Sequence, residues 1–549
     1  MQRVSRRGFL LGAMATALAA CRSGGSASGR PSSTSAGAAA TTGAPTTTAA
    51  PDTTPAPTTL PPAPELPGDP FALGVASGDA LSDAVVLWTR LAPDPLAAGG
   101  TAGMPGEEVP VVWEVATTED FATTVASGVA TASPDHAHSV HVDVTGLTPA
   151  TTYWYRFRVG PYTSTTGRTV TMPAADGPET TLVLGHASCH HYEQGLYAAH
   201  RDIAAAQLDA LIFLGDYIYE GRAHPVGQGG AIRSHNGAEP TDLPGYRDRY
   251  ALYRTDADLQ ASHASTGWYV IWDDHEVQNN YAGDHSSDPA VSAADFHARR
   301  AAAYQAWWEH QPVRLPPPTS ADYQIYRSFA LGPLGQLFLL DGRQYRSDQA
   351  CGDRLLSLEP ACPETFAPGR TMLGDVQERW LLDGLAATTA TWNVIGNQTI
   401  MSDLTINGAV LNFDQWDGYP DARQHLLSGI DQANLTNVVT ITGDIHAAGV
   451  ADLVVDDENG RRAVGAELIT SSVSSTSNLP VGAEAVLAQF PNVHYADGAK
   501  RGWVRNTLTA SGWEAEYRAV DDITRADSPI SVPARFRIVP TTPGAQRIA

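Results

Sequence analysis

The chain has 549 residues, a formal net charge of −24, and 43% hydrophobic against 17% charged residues. That acidity leaves no basic surface for a nucleic-acid backbone, and 50 glycines with four cysteines exclude collagen-like and disulfide-scaffold classes. The length exceeds what one hydrophobic core usually spans, so two folded domains with appendages are expected.

Residues 1–20 form a basic start followed by an apolar run from Phe9 to Ala20 that is short for a bilayer span. Ser5-Arg6-Arg7-Gly8-Phe9-Leu10 resembles a twin-arginine export signal, an address read by the export machinery. Leu18-Ala19-Ala20-Cys21 resembles a bacterial lipobox, with Cys21 lipidated as the new N-terminus; the plainer reading is an export signal with a chance cysteine. The expectation is an exported protein, either a surface lipoprotein or periplasmic or extracellular, that touches a membrane only through its lipid. Residues 21–68 are Ser, Thr, Ala, Gly and Pro with almost no large apolar side chain. They cannot bury enough surface to offset ordering entropy and read as a disordered tether.

Residues 69–175 hold short alternating runs: Val85–Trp88, Val109–Val115, Ser139–Val144 and Thr152–Val159. With turn residues between them, these predict a small antiparallel β-sandwich. Leu147–Arg156 resembles the tyrosine-corner region of fibronectin type III or immunoglobulin-like domains.

Over residues 176–527 the texture changes to apolar runs that stop abruptly in polar residues. Thr181–Leu184 leads to His186–His191, Leu211–Leu214 to Gly215-Asp216, and Trp268–Trp272 to Asp273-Asp274-His275-Glu276. Leu337–Leu340 leads to Asp341-Gly342-Arg343, Trp392–Ile395 to Asn397-Gln398, and Val438–Ile441 to Gly443-Asp444-Ile445-His446. Such runs predict strands buried on both faces, whose carboxyl ends are where open α/β sheets place their sites. Helices are expected over Asp295–Trp308 and Gln377–Ala387. The tail, 528–549, is rich in Pro and shows no clear helix.

The rim segments 188–192, 215–220, 273–276 and 443–446 are each weak alone, since Gly-Asp is often only a turn. Converging in one cleft, they suggest a multinuclear metal centre in which carboxylates bridge cations and imidazole, thiolate and phenolate fill other positions. Such cations would clamp a phosphoryl group and generate hydroxide near neutral pH, supplying positive charge the chain otherwise lacks. Cys351 and Cys362, with ten residues between them, can close a loop disulfide in an oxidising exterior. Cys189 is then unpaired at a strand end, either buried and inert or a metal thiolate.

In this order the four segments resemble the PhoD-type alkaline phosphatase family within the metallophosphoesterase superfamily. Phe71–Asp79 with Val86–Arg90, Trp272–Val277 with Asn279-Asn280-Tyr281, Leu340–Arg346, and Met372-Leu373-Gly374 with Gln377–Leu381 extend the likeness over about residues 69–525. The resemblance implies a four-layer α/β/β/α catalytic domain holding Fe3+ and Ca2+. It also implies hydrolysis of phosphomonoesters, phosphodiesters or both by metal-activated hydroxide, in a protein read as a monomer. Cys189, Asp216, Tyr219, Asp274, Asp444 and His446 match metal-binding positions, and His275 matches the leaving-group acid or phosphate contact. Asn397 is either a further ligand or a turn cap. Arg343, Arg346 and Arg314 are candidates to grip substrate phosphate, with ion pairing the alternative role. A phospholipase D-type diesterase at the same site, and a non-catalytic metal- or ligand-binding lipoprotein, stand as alternatives.

Overall fold

The computed structural model describes residues 64–549 apart from 355–358, 459, 478, 480, 481 and 488. The export signal, Cys21 and most of the tether lie outside the described residues. Pro62–Ala549 forms one compact unit. The tether expected through residue 68 is shorter, because Leu66 is buried in the main core.

Strands β1 (Val75–Gly78), β2 (Ala84–Arg90), β3 (Val109–Ala116), β4 (Thr124–Ala132), β5 (Ser139–Thr145), β6 (Thr152–Val159), β7 (Tyr162–Thr163) and β8 (Gly167–Val170) arise from the N-terminal region. They do not form a self-contained sandwich. Only β3, β4, β6, β7 and β8 make their own sheet. β1, β2 and β5 continue a ten-stranded sheet, with Ser77 on β1 in parallel register with Gly267 on β11 (Gly267–Val270). The reason is edge satisfaction: β2 is buried at every residue, and pairing with β1 on one side and β5 on the other leaves none of its ladder groups unpaired. The Tyr153 hydroxyl does accept the Thr148 N–H at 2.8 Å, the turn-fastening contact foreseen for this segment.

The six apolar runs are all strands, divided between two sheets. In the first, β9 (Leu182–Ala187), β10 (Ala210–Phe213) and β11 run parallel. The second contains β12 (Arg327–Leu331), β13 (Gly335–Leu339), β14 (Trp392–Asn397), β15 (Val438–Thr442), β16 (Ala448–Asp457), β17 (Gly460–Ile469) and β18 (Val493–Asp497). Here β13, β14, β15 and β17 run parallel in the order β12-β13-β14-β15-β17-β16-β18. Leu184, Leu211 and Phe213 of the first sheet share one buried core with Leu337, Val394 and Ile441 of the second.

Helices α1 (Ala198–Ala205), α2 (Leu243–Arg254) and α3 (Ala257–Ser265) lie between first-sheet strands in the chain, and α4 (Ala293–His310) links β11 to the second sheet. Helices α5 (Gly374–Ala387) and α6 (Pro420–Gln432) pack Leu381, Leu385, Leu426 and Ile430 with Phe338 and Ile395 in a second core. The two expected helices correspond to α4 and α5. Among the described residues no helix is long and apolar enough to cross a membrane.

The C-terminal tail, 528–549, holds no helix and is built of strands. β19 (Arg501–Thr509), β20 (Gly512–Val520), β21 (Ile530–Val539) and β22 (Thr542–Arg547) complete the ten-stranded sheet, in the order β22-β21-β20-β19-β9-β10-β11-β1-β2-β5. Proline density hides the period-2 pattern in β21, where Ala534, Phe536 and Ile538 are buried between outward Arg535 and Arg537.

Candidate metal centre

Cys189 follows β9, Asp216 and Tyr219 follow β10, Asp273 to Glu276 follow β11, and Asp444 and His446 follow β15. Two glycines let these rim loops meet. A Cβ on Gly215 would stand 2.5 Å from Asp273 Cβ, and one on Gly443 would stand 2.4 Å from Ser188 Oγ. The two Gly-Asp pairs are therefore demanded by close approach of a neighbouring loop. Gln398 laces the rims of both sheets, donating to the Trp272 carbonyl at 2.9 Å and the Leu340 carbonyl at 2.8 Å.

Four converging residues hold left-handed backbone without being glycine: Cys189 (φ 61°), Asp216 (56°), Asp444 (64°) and His446 (56°). Each such residue costs roughly 1–3 kcal/mol and persists only where its surroundings over-determine it. Four of the six residues that the resemblance marks as metal-binding are held this way, although other residues of the fold share the conformation.

Among the described residues three groups of ligand atoms form, each with members within 4.8 Å of one another: Cys189, Asp216 and His446; Asp216, Asp274 and His275; and Asp273, Asp274 and Asp444. Asp216 joins the first two groups and Asp274 the last two, the arrangement bridging carboxylates require. Tyr219 Oη donates to Asp216 Oδ2 at 2.7 Å and lies 3.0 Å from His446 Nε2. His446 donates its Nδ1–H to the Thr476 carbonyl at 2.8 Å. That contact fixes the tautomer and leaves the Nε2 lone pair facing Tyr219 and Asp216, as metal-binding histidines are held.

The electrostatics describe a crowded acidic site. Burial, then the Asp216 charge, pushes the Cys189 thiol well above its ordinary value, and the same two causes act on the Tyr219 phenol. Burial and Asp414 raise Asp444 to about 7. Asp274 resists burial because Arg343 and His275 hold it below the usual carboxylate range. His275 also resists burial: Glu220, then Asp216 and Asp274, hold it well above the usual imidazole value. Asp216 Oδ1 is buried with no hydrogen-bond partner. A thiol, a phenol, a lone-pair imidazole nitrogen and an orphaned carboxylate oxygen converging this way fit a multivalent cation, which would favour their deprotonated forms.

For four residues the sequence left two readings open, and their surroundings favour the plainer one. Arg343 and Arg346 are fully buried, not poised at the cavity: Arg343 pairs with Asp273 and with Asp414 at 2.7 Å, and Arg346 with Asp414 at 2.7 Å. These guanidiniums neutralise carboxylates beneath the rim; Nη2 of each is left without a hydrogen-bond partner, and that of Arg343 lies 3.8 Å from Asp274 and 3.6 Å from Asp444. Arg314 is likewise tied to Asp143 and takes the Asp79 carboxylate on its backbone N–H at 2.9 Å. Asn397 is turned inward, its amide donating to the Thr399 carbonyl and its oxygen 3.4 Å from Trp416 Nε1, so it caps a turn.

The structure adds residues that the sequence did not single out. Glu276 accepts backbone N–H groups of Asp216 at 3.0 Å, Asp273 at 2.7 Å and Tyr217, clamping the β10 and β11 loops together. Burial and Asp216 raise it to about 8. Glu220 Oε2 meets His275 Nδ1 at 2.6 Å. Ser475 Oγ lies 2.9 Å from both Tyr219 Oη and the Cys189 carbonyl. Glu220 and Glu276 sit inside the quoted motifs, but Ser475 lies in a serine-rich run with no pattern to mark it.

The rim opens into a cavity of about 290 Å³ lined by Asp216, Asp274, His275, Asp444 and His446 on its polar part. Residues 184–517 match the family described as PhoD-like phosphatase, and residues 56–173 match its N-terminal domain. The chain belongs to the PhoD-like phosphatase family. It is 44% identical over 476 residues to alkaline phosphatase D of Bacillus subtilis (strain 168), covering 85% of this chain and 80% of that protein. A solved structure described as that of PhoD superposes with a TM-score of 0.84 at 42% identity, covering 88% of this chain and 93% of the other. The rim residues of this PhoD-like phosphatase therefore stand within a fold shared along nearly the whole described chain.

Proposed function

We propose that this chain, a phosphoric ester hydrolase by family, is an alkaline phosphatase whose centre takes Fe3+ and Ca2+. The grouping of Cys189, Asp216 and His446, with Tyr219 bonded to Asp216, carries the reading. Thiolate, phenolate and imidazole suit a ferric ion, and the oxygen-only set of Asp273, Asp274 and Asp444 suits calcium. When bound, such cations supply the positive charge that the transferring phosphoryl group needs and the acidity that makes water nucleophilic near neutral pH.

The chain's own residues do the rest. Glu220 accepts the His275 Nδ1–H, orients the ring and favours its protonated form, so that Nε2–H can protonate the departing alkoxide. Glu276 holds the Asp216 and Asp273 backbones in place, and Arg343 restrains the charge of Asp273 and Asp414 beneath the site. The helices packed against the second sheet's core, and the core shared between sheets, support an α/β/β/α layering. The Cys351–Cys362 disulfide supports work outside the cytoplasm, in line with the export signal and with lipid attachment at Cys21.

Elemental analysis of natively exported protein, paired with hydrolysis of a monoester and a diester chromogenic substrate, tests the proposal. Iron with calcium and hydrolysis of either ester supports it. Zinc or manganese in place of both overturns the assignment of ions, and no hydrolysis by metal-replete protein overturns the activity.

A further inference from the structure

β17 ends at Ile469, and the serine-rich run after it crosses to the first sheet, where Ser472 pairs in parallel with Ser188 at the exit of β9. The Val473 N–H donates to the Ser188 carbonyl at 3.0 Å, and the crossing carries Ser475, fully buried, onto the loop that holds Cys189. Ser475 Oγ accepts the His191 N–H at 3.2 Å and has one proton to give. Two acceptors stand 2.9 Å from it, the Cys189 carbonyl and Tyr219 Oη. The carbonyl has other donors, the Ser474 and Ser475 N–H groups, each 3.4 Å away. Tyr219 Oη has no other donor among the described residues. Asp216 Oδ2 only accepts from it, and His446 Nε2 turns a lone pair towards it because Nδ1–H is spent on the Thr476 carbonyl.

Resting on the ferric reading of this site, we infer that Ser475 is a positioning residue: its hydroxyl donates to Tyr219 Oη and sets how tightly that oxygen holds the cation. A cation bound at Tyr219 takes the place of the phenol proton and leaves a charged oxygen among acceptors. A hydrogen bond to a charged oxygen is about twice as strong as one to a neutral carbonyl, so the Ser475 proton goes to the phenolate and not to Cys189.

The test is a double-mutant cycle on iron-loaded protein, read by visible absorption and by competition with a chelator for iron. Tyr219→Phe should abolish the phenolate-to-iron charge-transfer band and so assign it. Ser475→Ala should keep the band but move it to longer wavelength, because a phenolate without its hydrogen bond gives up an electron more easily. It should also weaken iron binding about tenfold or more, as losing the partner of a metal ligand does. In the Tyr219→Phe background the same substitution should change iron affinity by no more than about twofold. Ser471→Ala, which removes another buried hydroxyl, bonded to the Lys500 carbonyl, should leave band and affinity unchanged. An unmoved band in Ser475→Ala, or equal losses of affinity in both backgrounds, overturns the inference and leaves the ferric reading intact. Failure of Ser475→Ala to fold, read by near-UV circular dichroism, overturns it as well, since the hydroxyl would then be a tie for the Cys189 loop. Unsubstituted protein that holds no iron overturns the ferric reading and the inference with it.

Discussion

Glu220 Oε2 stands 2.6 Å from His275 Nδ1, and the same carboxylate accepts the Asn279 N–H at 2.8 Å. A histidine that is one-fifth exposed is thereby anchored from behind and left with a single free nitrogen for the cavity. Removing the anchor should act on leaving-group protonation before it acts on binding. Glu220→Gln is expected to lower kcat for alkyl phosphates about 10²-fold, within the range of lost general-acid assistance. Its effect on a nitrophenyl ester, whose leaving group needs no proton, should be much smaller. Equal losses on both substrates would contradict the role.

The bridging position of Asp216 makes it the most sensitive carboxylate. Asp216→Asn keeps the volume but halves the ligand oxygens and removes the charge. It should retain secondary structure and lose most bound metal and activity, read by elemental analysis and circular dichroism. Cys189→Ala should lose iron selectively and keep calcium. Chelation of the native enzyme should abolish turnover, with recovery on returning both ions and not on returning calcium alone.

Glu276 is expected to matter for stability more than for chemistry. Glu276→Ala would strand the backbone N–H groups of Asp216, Tyr217 and Asp273 in a buried place. At about 1–3 kcal/mol for each unsatisfied donor the loss should exceed about 3 kcal/mol. Glu276→Gln, which keeps one acceptor oxygen, should fall between the two in urea denaturation.

Two buried histidines and a half-buried one stacked on Trp308 set an acid limit. Burial lowers His141 to about 4 and His186 and His200 to about 3. Each is neutral in the fold and regains an ordinary value near 6.5 on unfolding, so the unfolded chain binds more protons between those values. Stability is full above about pH 6.5 and falls as pH drops towards 4. Together the three should contribute a slope near 4 kcal/mol per pH unit at its steepest. Chemical denaturation between pH 7 and 4.5 measures it, and His141→Gln should make the slope shallower.

Much of this was legible in the sequence because strands buried on both faces read as unbroken apolar runs, and all six such runs are strands. The candidate ligands were legible because polar residues at the ends of those runs have one rim to occupy. What stayed hidden was pairing at a distance. Nothing local says that Ser77 aligns with Gly267, and so the N-terminal strands read as a separate domain when three of them extend the large sheet. Arg343 and Arg346 looked like phosphate clamps because their residue type suits that task. Their burial against Asp273 and Asp414 depends on loops about 70 residues away in sequence. Ser475 gave no signal at all.

β9, the strand that leads into Cys189, lies between β10 and β19, and its partner on one side is separated from it by more than three hundred residues: Val504 sits opposite His186. Beyond β19 the sheet continues through β20, β21 and β22. The strand that carries Cys189 therefore stays an open edge until a segment more than three hundred residues later in the chain has folded against it, a pairing of high sequence separation that forms late. Shortening the C-terminus by even one hairpin would leave a half-built sheet carrying every ligand and no stable place to hold them.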